Sequence, residues 1–201
     1  MGVDIDAPFN RCSFGACRMK ISSRVQSTSL PLESTLAPTF ARADLADAFV
    51  LTIPNADKSS VDDWAHAVLD HPSPMLRGLL TLRDTLVAPL GLKTSRALRT
   101  SLRNRAVEHM DFFQVRSRSP NEIVLGEDDS HLDFRLSLLL RASSDNAARQ
   151  LVATTVVHCH NLTGRAYLAL ITPFHKRVVI QNLKRAMQWM PRSTVVSGPD
   201  R

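Results

Sequence analysis

The chain has 201 residues, 44% hydrophobic and 22% charged, which is enough for one substantial core and short for two. No apolar run reaches the roughly 20 residues that cross a bilayer: 136–140 is interrupted by Ser137, and 166–171 stops at Thr172-Pro173. The formal charge of +6 comes with only 5% aromatic residues and no recognition-helix or ribonucleoprotein signature, which argues against nucleic acid as a partner.

The N-terminus mixes Asp4, Asp6, Arg11, Arg18 and Lys20 without a hydrophobic stretch, so no secretory signal is expected. Cys12, Cys17 and Cys159 show no metal-ligand spacing and read as free thiols of a cytoplasmic protein. Residues 1–36 are rich in Ser and Thr and lack a sustained period, so the whole segment reads as a disordered extension that adds little to a core. Residues 37–190 read as a single domain and 191–201 as a flexible tail.

The first strand is expected at 48–53, where apolar and β-branched residues end at Pro54. Two short helices follow. Ser60 before Val61-Asp62-Asp63 has the form of an N-cap, Trp64 and Val68 make an i, i+4 apolar pair, and His71-Pro72 ends the helix. Ser73-Pro74 starts the second helix, with Leu76, Leu79, Leu80, Val87 and Leu90 on one face. The basic stretch 93–110 would put Arg96, Arg99 and Arg103 on one helix face, which reads as a solvated surface.

An antiparallel meander comes next. Phe113 and Val115 alternate with polar neighbours, Ser119-Pro120-Asn121 turns, Ile123-Val124-Leu125 continues, and Glu127-Asp128-Asp129-Ser130 turns again. Leu132, Phe134, Leu136 and Leu138 alternate with Asp133, Arg135 and Ser137, so one face of that strand should be dry and the other wet. A further strand covers about 150–160. Tyr167, Leu170, Ile171, Phe174 and Val178 then follow helical spacing into a long terminal helix. Pro173 leaves two readings open: the helix bends there, or it starts there and 167–171 belongs to a strand.

This order, with Asp63-Trp64, Glu122-Ile-Val-Leu-Gly-Glu-Asp, His131-Leu-Asp-Phe-Arg, Gly164-Arg-Ala-Tyr and Pro173-Phe-His, resembles a bacterial domain family of unknown function. Members occur alone or fused behind nucleotide-sugar-epimerase-like domains. The resemblance implies an α+β, START-like (SRPBCC) helix-grip fold, in which a curved antiparallel sheet grips the last helix, with a cavity between them. It implies no established activity. On this reading Trp64, Phe134, His158, Tyr167, Phe174 and His175 are the candidates for ligand contact.

The residues themselves give no catalytic signature and call for no cofactor. His158 and His160 share a strand face, as two imidazole ligands would, but no third ligand is brought to them; Glu127-Asp128-Asp129 fits a turn better than a cation loop. In a regular strand Cys159 points opposite to its flanking histidines, so a Cys–His dyad within the triplet is geometrically poor. The expected function is binding of a small apolar or amphiphilic ligand between sheet and helix. One alternative is an enzyme using Asp133, His158 and His175 in acid–base chemistry, and another is a basic nucleic-acid-interacting protein. The sequence sets no oligomeric state.

Overall fold

The computed structural model describes residues 25–54, 57–78, 81, 108–110, 113–143 and 148–190. Its strands are β1 (Val25–Thr28), β2 (Leu45–Pro54), β3 (His109–Met110), β4 (Phe113–Arg118), β5 (Glu122–Asp128), β6 (Leu132–Ala142) and β7 (Ala148–Cys159). They form one sheet in the order β1-β2-β7-β6-β5-β4-β3, with every neighbouring pair antiparallel. With helix α1 (Val61–Leu69) and the long helix α2 (Leu162–Trp189), the curved, unclosed sheet makes the expected α+β helix-grip layout.

Turn chemistry sets the meander. Ser119 N–H donates to Glu122 O at 2.8 Å and Asp129 N–H to Leu132 O at 3.0 Å, closing the turns before and after β5. Leu132, Phe134, Leu136, Leu138 and Leu140 of β6 then share one face with Cys159, Val157, Thr155, Ala153 and Leu151 of β7, their register partners. The far half of that face is the core. Ile53, Trp64, Leu125, Leu138 and Leu151 are fully buried there, with Leu183 of α2 closing over them. Each such side chain contributes about 1.5–3 kcal/mol by leaving water.

The opposite face is not wet as the β6 alternation suggests. Leu36, Val124 and Val156 form one buried cluster there, and Ala48, Leu139 and Val152 another, with Leu30 and Phe40 packed against them. The covering chain is residues 25–43, part of which the sequence assigns to an extension. Instead β1 pairs with β2, and a 3-10 helix, Ala37–Arg42, lies against β7. Glu122, 5% exposed, holds this strap: its carboxylate accepts from Ser34 Oγ at 2.5 Å, Ser137 Oγ at 2.6 Å and Thr35 N–H at 2.9 Å. Over 25–36 the extension reading fails, because widely spaced Leu30 and Leu36 carry no period and because Ser34 is buried as a donor.

The α1 start is a capping box. Ser60 Oγ accepts from Asp63 N–H at 3.2 Å, and Asp63 Oδ2 accepts from Ser60 N–H at 2.8 Å. A second helical segment begins at 74–78, where Ser73 Oγ accepts from Leu76 N–H at 3.1 Å; its expected continuation and most of the basic stretch lie outside the described residues. Ser73 N–H also donates to Asn182 Oδ1 at 2.9 Å, which fastens this segment to α2.

Pro173 lies inside α2, which starts at Leu162 with Asn161 as its N-cap. Tyr167 to Ile171 are therefore helical, and the reading in which the helix starts at the proline is excluded.

Candidate functional site

Between the sheet and α2, beyond the packed core, lies a cavity of ≈ 220 Å³. Its sheet wall is largely apolar, with Leu45, Leu132, Phe134, Leu136 and Val157; α2 supplies Leu168, Ile171, Val178 and Val179. Phe113 of β4 also lines it and stacks on Phe134, the ring centroids 5.3 Å apart.

The polar lining comes from two places. Thr155, His175 and Asn182 are spread along the walls, whereas Glu127, Asp129, His131 and Tyr167 lie where β5 turns into β6 and α2 begins. Alternation explains the carboxylates. Ile123 and Leu125 face the core, so Glu127, opposite Phe134, continues the same face, and Asp129 and His131 follow through the turn.

His131 is held on its backbone side: its carbonyl accepts from His160 N–H at 2.9 Å. Gly164 of α2 passes over that same carbonyl so closely that a Cβ there would come within 2.1 Å of the oxygen. The ring, with its side chain 6% exposed, meets Tyr167 edge-on at 6.4 Å between centroids. Asp129 Oδ1 stands 3.5 Å from His131 Nδ1, too long for a well-formed hydrogen bond, and Nδ1 has no hydrogen-bond partner among the described residues.

Three of the six predicted contact residues meet here: Phe134, Tyr167 and His175. His175 Nε2 lies 3.0 Å from Asp47 Oδ1 of β2, a contact that ties the middle of α2 to the sheet. The other three do not line the cavity. Trp64 is fully buried within the core. Phe174 is 40% exposed, because α2 is turned so that Leu168 and His175, rather than Leu170 and Phe174, face inward. His158 lies on the other face of the sheet, where its Nε2 donates to Thr39 O at 3.2 Å and pins the 3-10 helix.

Asp133 is also on that outer face, 3.1 Å from His160 Nε2. Asp133, His158 and His175 therefore do not converge on one site. Among the described residues no group of three His, Cys, Asp or Glu side chains is placed to hold a metal ion. Cys159 points toward α2, and burial, with the Asp44 carboxylate nearby, pushes its thiol above the ordinary range, the opposite of a reactive cysteine. At the outer end of β5, burial opposes ionisation of Asp128, but the Arg135 and Arg116 guanidiniums outweigh it and hold that carboxyl below its ordinary value.

A sequence profile for proteins of unknown function (DUF2867) matches residues 39–181. The chain belongs to the DUF2867 family. No curated protein and no solved structure matches it. The DUF2867 region runs from the 3-10 helix through most of α2 and takes in every cavity residue except Asn182. No described helix of this DUF2867 protein is long and apolar enough to cross a membrane.

Sequence reasoning missed His131, Asp129 and Glu127 as lining residues. The signal was there: Ile123, Leu125, Glu127 and Leu132, Phe134, Leu136 are two period-two rows on one face, joined by the turn.

Proposed function

We propose that this chain is a cytoplasmic START-like domain that holds a small apolar or amphiphilic molecule between its sheet and α2. The ≈ 220 Å³ cavity carries the reading. Protein interiors are close-packed, and lost packing costs about 24 cal/mol per Å³. A space of ≈ 220 Å³ is larger than the gaps left between close-packed side chains and is room for a small molecule. An apolar wall with a few convergent polar groups is also the usual make-up of a ligand pocket.

The acid–base alternative built on Asp133, His158 and His175 gains no support from residues that lie on two faces of the sheet. The nucleic-acid alternative rests on the 93–110 stretch, most of which lies outside the described residues.

Saturation-transfer NMR with a library of small aromatic and aliphatic compounds tests the proposal, run on the wild type and on Val157→Phe, whose added ring enters the cavity. Signals in the wild type that vanish in a folded Val157→Phe are expected. Signals of equal strength in both proteins, or none in the wild type, contradict it.

A further inference from the structure

The side chains that β2 turns toward α2 are Leu45, Asp47, Phe49, Leu51 and Ile53, so one carboxylate stands in an apolar row. A charge taken among apolar neighbours is costly unless it is paired. Its partner is His175, whose side chain is 14% exposed and lines the cavity. As a latch between helix and sheet, such a pair is no more stabilising than well-packed apolar side chains in its place. Its position beside the cavity therefore calls for a chemical reason.

The bond to Asp47 sorts the two ring nitrogens. An ionised carboxylate only accepts, so the 3.0 Å contact puts the hydrogen on Nε2 of His175. In the neutral ring Nδ1 then carries the lone pair. Nδ1 makes no hydrogen bond among the described residues and is not enclosed, so a molecule in the cavity can reach it. Thr155 of β7 stands directly opposite Asp47 and brings a hydroxyl to the same wall. An oriented imidazole with an open lone pair, a hydroxyl donor and apolar surroundings are the parts of a proton transfer, which calls for no nucleophile and no co-reactant.

We infer that Asp47, His175 and Thr155 form an acid–base site that moves a proton within a small, uncharged carbonyl compound held in the cavity. Nδ1 of His175 takes a proton from the carbon beside the carbonyl, and the C–H electron pair becomes the C=C bond of an enolate. The enolate oxygen accepts from the Thr155 hydroxyl, and return of the same proton to the far end of a conjugated enolate gives an isomer. Asp47 is a positioning residue that fixes the ring tautomer. The inference rests on the ligand-binding proposal above and adds a reaction to it.

Nitrobenzisoxazole, an uncharged carbon acid, is the probe. When a base removes the proton on the carbon beside its ring nitrogen, the C–H pair completes a nitrile, the N–O bond breaks, a coloured phenolate is released and the proton passes to solvent. Saturation-transfer NMR reads its binding and absorbance its turnover. The wild type is expected to bind the probe and to eliminate it about a hundredfold or more faster, per molar base, than free imidazole. His175→Gln should still bind it and lose most of that rate. Asp47→Asn should lower kcat about tenfold or more with KM little changed, because an amide donates as well as accepts and no longer fixes the tautomer. Binding without turnover, or equal turnover in wild type and His175→Gln, overturns the acid–base assignment and leaves the cavity reading standing. Joint loss of binding and turnover in Asp47→Asn also overturns it, reducing the pair to a latch. A wild type that does not bind the probe overturns both readings.

Discussion

Gly164 shows how one missing side chain places the site. With a Cβ 2.1 Å from the His131 carbonyl oxygen, a backbone atom, Gly164→Ala forces the start of α2 away from the β5–β6 turn. The expected cost is about 1–3 kcal/mol, as for other overpacked positions, read as a lower urea midpoint; an unchanged midpoint would show that the two backbones separate freely. Glu122 has the converse role. Truncation in Glu122→Ala strips three donors, Ser34 Oγ, Thr35 N–H and Ser137 Oγ, of their acceptor. Of these Ser34 and Ser137 are buried, and each buried hydroxyl left unpaired costs about 1–3 kcal/mol, so Glu122→Ala should be among the most destabilising single changes, with early hydrogen exchange over residues 25–43. A variant as protected there as the wild type would mean that packing alone retains the strap. Both residues stand inside motifs visible in the sequence, Gly164-Arg-Ala-Tyr and Glu122-Ile-Val-Leu-Gly-Glu-Asp, but not their reasons, since His131 is 33 positions from Gly164 and Ser34 is 88 from Glu122. Local pattern identifies such residues as unusual; only the sheet register says what they touch.

At the level of elements, punctuation was legible and coverage was not. Ser60 is the N-cap its sequence suggests, and Ser60→Ala should cost about 1 kcal/mol. Its partner adds a pH dependence. Hydrogen bonds from the Ser60 hydroxyl and backbone hold the Asp63 carboxyl below its ordinary range. A depressed folded-state value means the contribution is full above the ordinary carboxylate range and is lost as pH falls through that depressed value. The stability gap between wild type and Ser60→Ala, measured by urea unfolding, should therefore narrow on acidification; a constant gap would remove Asp63 from the cap energetics. Pro173 was the ambiguity the sequence left open, and α2 runs through it. Having no N–H, it leaves the Ala169 carbonyl without its usual intrahelical donor, and a mid-helix proline is disfavoured by about 3 kcal/mol against alanine. Pro173→Ala should stabilise the protein and slow hydrogen exchange across 169–178; a lower thermal midpoint would show that α2 needs the proline to fit the sheet. The part of the strap before residue 37 escaped the sequence because its apolar residues are sparse, whereas β6 declared itself through strict alternation.

For the whole molecule, the architecture of sheet and gripping helix followed from element order, and half of the predicted contact residues meet in the cavity it encloses. Phe134, Tyr167 and His175 line that cavity because a strand face and a helix face are periodic. His158 was misplaced because two faces of one strand look alike until something is known to cover each, and here the 3-10 helix covers the outer one. Trp64 was misplaced because a large aromatic serves core and pocket equally well, and α1 sets it among Leu51, Leu125 and Leu183. What distinguishes this fold from a filled one is the space beside those residues. Native mass spectrometry of the protein purified gently from the cells that make it, compared with Val157→Phe prepared in the same way, weighs that space. The wild type should carry one bound compound of small-molecule mass that the variant lacks. Wild-type protein that flies empty, with a crystal structure showing the ≈ 220 Å³ closed by its own side chains, would contradict a ligand-binding role.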